Sequence, residues 1–252
     1  VFDQAKNKGA KGKAFDQIET ILSDNSENDA KPQDSDPTSK QLQPIISLYT
    51  QGQLQKALFH ATEMLERFSH SVVLYNIAGV CNFGLMKFDA AVDSYKQAIK
   101  INPELAELHY NMGNVLKDKG DLKAGIESYQ KAIKIKPDFA EAYRNMGNAL
   151  KNKGDLEAAI GGYRQAIKIN PNCAEDYYNI GIALNDMGDS KAAIDSYKQA
   201  LKIKPDFANV YYNMGIALQG KGDLETAIDS YQKAISIKPD NAKAYNNMGT
   251  AL

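Results

Sequence analysis

Five asparagines that recur at a constant interval are the side chains in this sequence best suited to hold another chain. They are Asn111, Asn145, Asn179, Asn213 and Asn247, and consecutive members lie 34 residues apart. A carboxamide both donates and accepts hydrogen bonds, so a row of them can bind the N–H and C=O groups of an extended peptide without selecting its sequence. The alternative is that each asparagine satisfies backbone groups where helices touch. The residue pattern is compatible with both interpretations.

Other recurring residues flank the asparagine row on the same predicted helix face. The set comprises Tyr110, Arg144, Tyr178 and Tyr212, then Asn114, Asn148, Ile182 and Ile216, and finally Lys117 and Lys151. Along the chain this set changes from charged and polar to aromatic and aliphatic. We therefore expect a ligand with acidic or polar residues at one end and hydrophobic residues at the other. A solvated helix face of ordinary composition is the alternative.

Residues that could carry out catalysis or hold a metal are not grouped in the sequence. The histidines His60, His70 and His109 share no metal-ligand spacing with each other or with the two cysteines. Carboxylates recur as predicted helix caps and at solvated positions rather than as isolated pairs, and no glycine-rich phosphate loop follows a strand. We expect this chain to carry no catalytic site and to bind no cofactor and no metal.

The charge balance indicates a protein partner rather than a nucleic acid or a membrane. The chain has 30 basic and 31 acidic residues and a net charge of −1, so no overall field attracts nucleic acid or an anionic membrane. It contains no apolar run long enough to cross a bilayer. Cys81 and Cys173 have no partner spacing, which fits a reducing compartment, and we expect a cytoplasmic location.

The interval between these residues comes from a repeat that covers most of the chain. The stretch 140–173 has close relatives of itself 34 residues before and after, which is typical of a stacked array. Its copies are 72–105, 106–139, 174–207 and 208–241, and 242–252 begins a further one. Such an array is stabilised by contacts between neighbouring repeats rather than by a single core.

Each unit is predicted to form two helices joined by a short turn. In the unit 106–139, His109, Met112, Gly113 and Leu116 follow the i, i+3, i+4, i+7 spacing of one helix face. The second half of the unit repeats such an apolar face after a break. We therefore expect every unit to be a pair of helices.

Glycine and acidic residues mark the expected helix ends. Gly120 can adopt positive φ and is predicted to end a first helix, while Asp121 is predicted to cap the second helix. Asp138, followed three residues later by Glu141, predicts a capping box at the start of the next unit. Met86 departs from the pattern, because it takes the place of the turn glycine in its own unit.

A second glycine occupies one position inside the first helix of five units. These residues are Gly113, Gly147, Gly181, Gly215 and Gly249. Glycine inside a helix costs roughly 1 kcal/mol relative to alanine, so its recurrence requires a reason. We expect two helices to approach each other closely there, where an added side chain would force them apart.

These features together resemble the tetratricopeptide repeat, TPR. The resemblance includes a tyrosine late in each second helix and a proline that closes each unit, namely Tyr129, Tyr163, Tyr197, Tyr231, Pro103, Pro137, Pro171, Pro205 and Pro239. It covers 72–252 strongly and about 38–71 weakly. It implies an all-α fold, a right-handed superhelical solenoid of antiparallel helix hairpins whose first helices line a concave groove for peptide segments. The asparagine row is similar to the asparagine ladder of O-linked N-acetylglucosamine transferases, which favours peptide binding.

The sequence predicts four segments. Residues 1–22 are predicted to form a helical segment, with a degenerate repeat as one interpretation, and residues 23–40 a polar linker. A diverged TPR unit is expected at 41–71. Residues 72–252 are expected to hold five complete units and the first helix of a sixth.

Two functions from different classes fit these expectations. The first is a scaffold that binds a peptide segment of a partner protein in the concave groove. The second is the substrate-recruiting arm of a larger, glycosyltransferase-like enzyme whose catalytic domain lies beyond residue 252. The uncovered helix at 242–252 also predicts head-to-tail self-association, since heterologous contacts can propagate.

Overall fold

The computed structural model describes residues 36–252, which form thirteen helices and no strand. The helices are α1 Ser39–Thr50, α2 Leu54–Arg67, α3 Val72–Gly84, α4 Phe88–Ile101, α5 Ala106–Lys119, α6 Leu122–Ile135, α7 Ala140–Lys153, α8 Leu156–Ile169, α9 Ala174–Asp186, α10 Ser190–Ile203, α11 Ala208–Gly220, α12 Leu224–Ile237 and α13 Ala242–Ala251. The helical segment predicted at 1–22 and most of the linker predicted at 23–40 lie outside the described residues.

The described chain begins just before the diverged unit. Thr38 caps α1 through a capping box with Gln41, so the helix starts at Ser39, inside the stretch predicted as linker. The carboxylate of Asp36 accepts a hydrogen bond of 2.5 Å from the hydroxyl of Ser71. The polar residues of this segment therefore bind the first repeat and cap its first helix.

The helices belong to two compact units, which meet in sequence between Pro137 and Asp138. The first unit contains α1–α6 and the second contains α7–α13, and within each unit consecutive helices pack against each other. The odd-numbered helices are the first helices of the repeats. Within the second unit, each first helix also contacts the first helix of the next repeat. Its first helices consequently lie side by side.

The turns between first and second helices have the conformation that the sequence predicts. Gly120 ends α5 with a φ of 97°, and the side chain of Asp121 accepts a hydrogen bond from the Ala124 N–H at the start of α6. Met86, at the same place in an earlier repeat, has a φ of 61°. A non-glycine residue is strained in this left-handed region, so the turn geometry is imposed by the repeat.

The capping box predicted at Asp138 is wrong. Helix α7 begins at Ala140, its N-cap is Phe139, and no side chain caps its first turn. Phe139 is only 8% exposed. Because an apolar side chain enters the core at the cap position, packing rather than a polar cap sets the start of this helix.

The recurring glycines inside the first helices have a packing role. In α9, a Cβ atom on Gly181 would lie 2.3 Å from the Tyr197 ring of α10, and the same relation holds for Gly215 and the Tyr231 ring. The tyrosines at this place are 0–1% exposed, namely Tyr95, Tyr129, Tyr163, Tyr197 and Tyr231. Each glycine thus makes room for a buried aromatic ring, which confirms the predicted close approach.

Gly249 provides an internal comparison for this packing. No atom lies within 4 Å of the position that its Cβ would occupy. It belongs to α13, the last helix described, so no second helix follows it with a tyrosine. Inside the repeats, the glycine is therefore required by the tyrosine and not by the helix itself.

Candidate functional site

The predicted binding residues lie on first helices in both units. Asn111 lies on α5 of the first unit and is 7% exposed. The other four asparagines lie on α7, α9, α11 and α13 of the second unit and are partly exposed. We call the side of these four helices that carries Asn145, Asn179, Asn213 and Asn247 the amide face.

Asparagines of the row connect successive first helices. The Nδ2 of Asn213 donates a hydrogen bond of 2.9 Å to the hydroxyl oxygen of Tyr178, one repeat earlier. Asn247 donates in the same way to Tyr212, at 3.4 Å. In both cases the partner lies 35 residues earlier in the chain. These bonds use one donor of each amide for contacts between repeats, and the partner is a side-chain hydroxyl rather than the backbone group that the alternative interpretation expected.

In the first unit, the corresponding asparagine has an asparagine as its partner. The Nδ2 of Asn111 donates to the Oδ1 of Asn76 at 3.3 Å, again 35 residues earlier. Asn76 is fully buried, and its own Nδ2 has no hydrogen-bond partner. Asn111 is thus part of the buried contact between α3 and α5.

The flanking tyrosines pack against the second helices of their own repeats, and Tyr178 also packs against Phe207, the N-cap of α11 in the next repeat, with ring centroids 5.1 Å apart. The Tyr178 ring lies 6.2 Å from the Tyr197 ring, and the Tyr212 ring lies 6.1 Å from the Tyr231 ring, measured between centroids. Burial raises the pKa of Tyr178, while the hydrogen bond from Asn213 lowers it by a smaller amount. In the first unit Tyr110 is 8% exposed. These tyrosines position the asparagines and also form part of the core.

Asn114 and Asn148 face the second helices of their own repeats. Their Oδ1 atoms accept hydrogen bonds from the hydroxyls of Tyr129 at 2.7 Å and Tyr163 at 2.8 Å. A buried hydroxyl needs such a partner. The acceptor oxygens of both amides are therefore used inside the repeats, although the sequence suggested a role in ligand binding.

The two predicted lysines lie in the last turns of α5 and α7. Both are partly buried, and the Lys117 Nζ lies 3.2 Å from a carboxylate oxygen of Asp118. Cations at helix C-termini are stabilised by the helix dipole. Lys117 and Lys151 thus fit a role in helix stability as well as contact with a ligand.

Arg144 makes the strongest polar contact of the second unit, with a residue that sequence analysis missed. Its Nε and Nη2 donate to the two carboxylate oxygens of Asp176 at 2.5 and 2.7 Å, joining α7 to α9. Asp176 is fully buried, and the Arg144 side chain is 16% exposed. The paired carboxylate raises the pKa of Arg144. This bidentate geometry is the strong form of an arginine–carboxylate contact.

The sequence contains a feature from which the buried role of Asp176 could have been predicted. The same place in the other first helices of this unit holds Ala142, Val210 and Ala244, and all are fully buried. A carboxylate in an otherwise apolar, periodic column predicts a buried partner, because an isolated buried charge is costly. The partner itself is 32 residues away, and a search confined to near neighbours does not find it.

The Arg144 guanidinium also contacts a cysteine. Its Nη2 lies 3.1 Å from the Cys173 Sγ. Burial raises the pKa of the Cys173 thiol to about 11. The thiol is therefore protonated at neutral pH and is not an activated nucleophile.

Asn179 differs from its neighbours in the row. The residue 35 positions earlier is Arg144 rather than a tyrosine, and its guanidinium is occupied by Asp176. The Asn179 carboxamide has no hydrogen-bond partner within residues 36–252, and neither of its polar atoms is buried. Of the asparagines on the amide face, this one is available at both its donor and its acceptor end.

His109 and the carboxylates of the described chain do not form a metal site. The Nε2 of His109 lies 3.0 Å from the carbonyl oxygen of Pro103, and the side chain is 6% exposed, as suits a packing residue. Over residues 36–252, no three His, Cys, Asp or Glu side chains are grouped so that they could hold a metal ion. None of the helices in that range is long and apolar enough to cross a membrane.

Comparison with known proteins shows one family and several similar folds. The TPR repeat family matches 87–120, 113–154, 147–188, 183–222 and 220–252. The crystal structure of MamA is 32% identical, covers 66% of this chain and 96% of its own, and has a TM-score of 0.61. YrrB, described as a TPR protein with an unusual peptide-binding site, is 22% identical, covers 76% of this chain and 98% of its own, and has a TM-score of 0.63.

A curated plant protein shares a shorter stretch. It is the probable UDP-N-acetylglucosamine–peptide N-acetylglucosaminyltransferase SEC of Arabidopsis thaliana, 31% identical over 74 residues. The match covers 29% of this chain and 8% of that protein. Taken with the helix pairs, the repeat matches confirm the predicted all-α TPR array, a fold typical of protein–protein interaction. The chain belongs to the TPR repeat family.

Proposed function

We propose that this chain is a protein-interaction scaffold that binds a segment of a partner protein along the amide face. The main support is the Asn179 carboxamide, which is partly exposed and unpaired at both ends in a row of otherwise anchored amides. An extended peptide carries one N–H and one C=O per residue. Such an amide can therefore pair with a guest backbone group, while its second N–H and the second lone pair of its oxygen remain for a guest side chain.

The anchored asparagines would assist in the same contact. Asn213 uses one N–H on Tyr178, which fixes the side chain and leaves its Oδ1 without a partner within residues 36–252. A side chain held in this way loses little conformational freedom on binding, so less of the interaction energy is spent on ordering it. Ile182 and Ile216, both partly exposed, would provide apolar contact beside the row.

The function is tested with peptides selected from a random peptide display library on the purified chain. For a selected peptide, Asn179→Ala should weaken binding about fivefold, since a net hydrogen bond is worth about 1 kcal/mol. Gln165→Ala is the matched control, because it removes an exposed carboxamide from the second helix α8. Circular dichroism should show unchanged helicity for both variants. Equal affinity of Asn179→Ala and the unaltered chain would refute the role of the row.

The description of YrrB as a TPR protein with a peptide-binding site is compatible with this proposal, although similarity at 22% identity shows the fold alone. We propose further that this chain has no catalytic activity of its own. A cytoplasmic location is part of the same proposal and can be tested by cell fractionation.

The alternative is that the array recruits substrates for an enzyme. The 74-residue similarity to the Arabidopsis glycosyltransferase favours it. It predicts that the reading frame encodes a catalytic domain after residue 252, which sequencing of the gene would show. A reading frame that ends without such a domain would leave the scaffold as the function.

Self-association is a further part of the partner proposal. Tyr245 of α13 is 49% exposed, and Leu252, which caps the C-terminal end of this helix, is 89% exposed. A second copy could cover this face, as second helices do in the repeats. Sedimentation velocity at increasing concentration should then show oligomers that Tyr245→Lys abolishes. A single monomer boundary at every concentration would refute self-association.

A further inference from the structure

One junction between first helices in the second unit is built differently from the others. Between α9 and α11, and between α11 and α13, an asparagine amide donates to a tyrosine hydroxyl. Between α7 and α9, the tyrosine place is taken by Arg144, which forms the bidentate ion pair with Asp176. Successive first helices of the second unit are thus joined in two ways, by a tyrosine–asparagine hydrogen bond or by an arginine–aspartate ion pair.

The ion pair is a poor choice if stability is its only role. Asp176 is fully buried, and burying two charges costs about as much as their attraction returns. The neighbouring junctions show that an apolar residue in the Asp176 place and a tyrosine in the Arg144 place make a packed junction. Stability therefore does not explain why Arg144 and Asp176 replace a tyrosine and an apolar residue. The other consequence of the replacement is that it leaves polar groups at this junction without a partner.

The ion pair leaves two groups unpaired at the same junction. Arg144 uses Nε and Nη2 on Asp176 and Cys173, so both N–H groups of its Nη1 remain. Asn179 lacks the tyrosine partner that its counterparts have. Within residues 36–252, the buried polar side-chain atoms without a partner are on Asn76 and His109. The Nη1 and the Asn179 carboxamide are consequently open to a ligand.

The charges at this junction oppose an anionic ligand. The formal charges of Arg144 and Asp176 cancel. Glu175 adds negative charge, since its Oε2 accepts a hydrogen bond of 3.4 Å from the Cys173 thiol, whose sulfur lies 3.1 Å from the Arg144 Nη2. Like charges repel at such distances, so a carboxylate or phosphate of the guest is disfavoured. This differs from the acidic ligand end expected from the sequence.

The unpaired groups fit a neutral carboxamide. Arginine Nη1 and asparagine Nδ2 donate, while asparagine Oδ1 accepts, and a guest Asn or Gln side chain offers the complementary oxygen and NH₂. Building on the proposed peptide-binding function, we propose that the Arg144–Asn179 junction is a specificity site that selects an Asn or Gln side chain of the bound segment. It rejects Asp and Glu at the same position.

The test starts from peptides selected on the unaltered chain from a random display library. Each Asn or Gln of a selected peptide is replaced in turn by the matching acid and by Leu, and affinities are measured by fluorescence anisotropy. At one position, the amide should bind about tenfold more tightly than the acid, because the acid lacks the NH₂ group that donates to the Asn179 Oδ1 and its charge is repelled by Glu175. Selected peptides without such a position, or with a preference for the acid, would overturn the specificity site alone. Failure to select any peptide would overturn the peptide-binding function as well.

A double variant assigns the preference to this junction. Arg144→Tyr with Asp176→Ala rebuilds the tyrosine–asparagine contact of the neighbouring junctions, so the chain should fold with unchanged helicity. Its preference for the amide over the acid should fall to about onefold, and an unchanged preference would overturn the assignment. Asn179→Ala, which removes no internal hydrogen bond, should reduce the same preference and serves if the double variant does not fold.

Discussion

Gly181 allows the packing rule of the repeats to be tested quantitatively. A Cβ atom on this residue would lie 2.3 Å from the Tyr197 ring, about 1.1 Å short of the 3.4 Å at which ordinary contact begins. Tyr197 is 1% exposed and also packs against the Tyr178 ring, so the ring has little room to move. Overpacking of a core typically costs about 1–3 kcal/mol, while alanine gains about 1 kcal/mol in helix propensity. The two terms together give a loss of about 0–2 kcal/mol. Because 2.3 Å is the shortest such distance at any helical glycine of the described chain, we predict that Gly181→Ala lowers the free energy of unfolding by the upper part of this range, about 1–2 kcal/mol.

Gly249→Ala is the matched control for this substitution. It occupies the same place in the repeat, but nothing lies within 4 Å of its Cβ position. The alanine should therefore keep its propensity gain and stabilise the chain by up to about 1 kcal/mol. Both variants replace a helical glycine with alanine, but only Gly181 faces a tyrosine ring. The difference between their free energies of unfolding therefore measures the packing cost.

The assay is urea unfolding followed by circular dichroism, with hydrogen exchange of the α9 and α10 amides as a local measure, because repeat arrays can unfold in more than one step. The Tyr197 ring is identified as the cause if Gly181→Ala lowers the free energy of unfolding less in a Tyr197→Leu background than in the unaltered chain. Effects of mutations at residues in contact are not additive. Equal stability of Gly181→Ala and Gly249→Ala would refute the reasoning.

Two further predictions concern the first unit. Met86→Gly should raise the free energy of unfolding by about 1 kcal/mol in urea titrations, because it relieves a left-handed backbone at a side chain that is 70% exposed and packs little; unchanged stability would contradict the strain. Burial raises the pKa of Cys81 from 9.0 to about 12, so the folded state keeps a proton that the unfolded chain releases, and stability should be full below about pH 9 and decline towards pH 12. Cys81→Val should make this decline shallower in urea titrations at pH 8 to 11, and an identical pH profile would show that Cys81 does not contribute.

Local signals in the sequence were sufficient for the helices and their turns. Gly120 and Asp121 act on atoms a few residues away, and both have the predicted geometry. The capping box predicted at Asp138 was wrong because the start of that helix is not set by a local polar contact. There the N-cap is the buried Phe139 and no side chain caps the first turn, so the local capping pattern does not set the helix start.

The sequence pattern locates the asparagine row on the first helices and does not contain its hydrogen bonds. The asparagine row was found from its period, but the partner of Asn213 is a tyrosine 35 residues earlier. Which amides are anchored and which are available depends on that partner. Asn179 is available because Arg144 stands where a tyrosine would be and its Nε and Nη2 bind Asp176.

The sequence by itself determined the all-α repeat, its period, the helix ends marked by glycine and the family, because each depends on short-range pattern repeated many times. Tertiary structure alone decided how side chains on successive helices share their hydrogen bonds. Stacking brings residues one repeat apart within bonding distance, and a single exchange, such as arginine for tyrosine at position 144, redirects the bonds of several neighbours. The periodic pattern fixes where such residues stand, and the packed helices fix which of their polar groups remain for a partner.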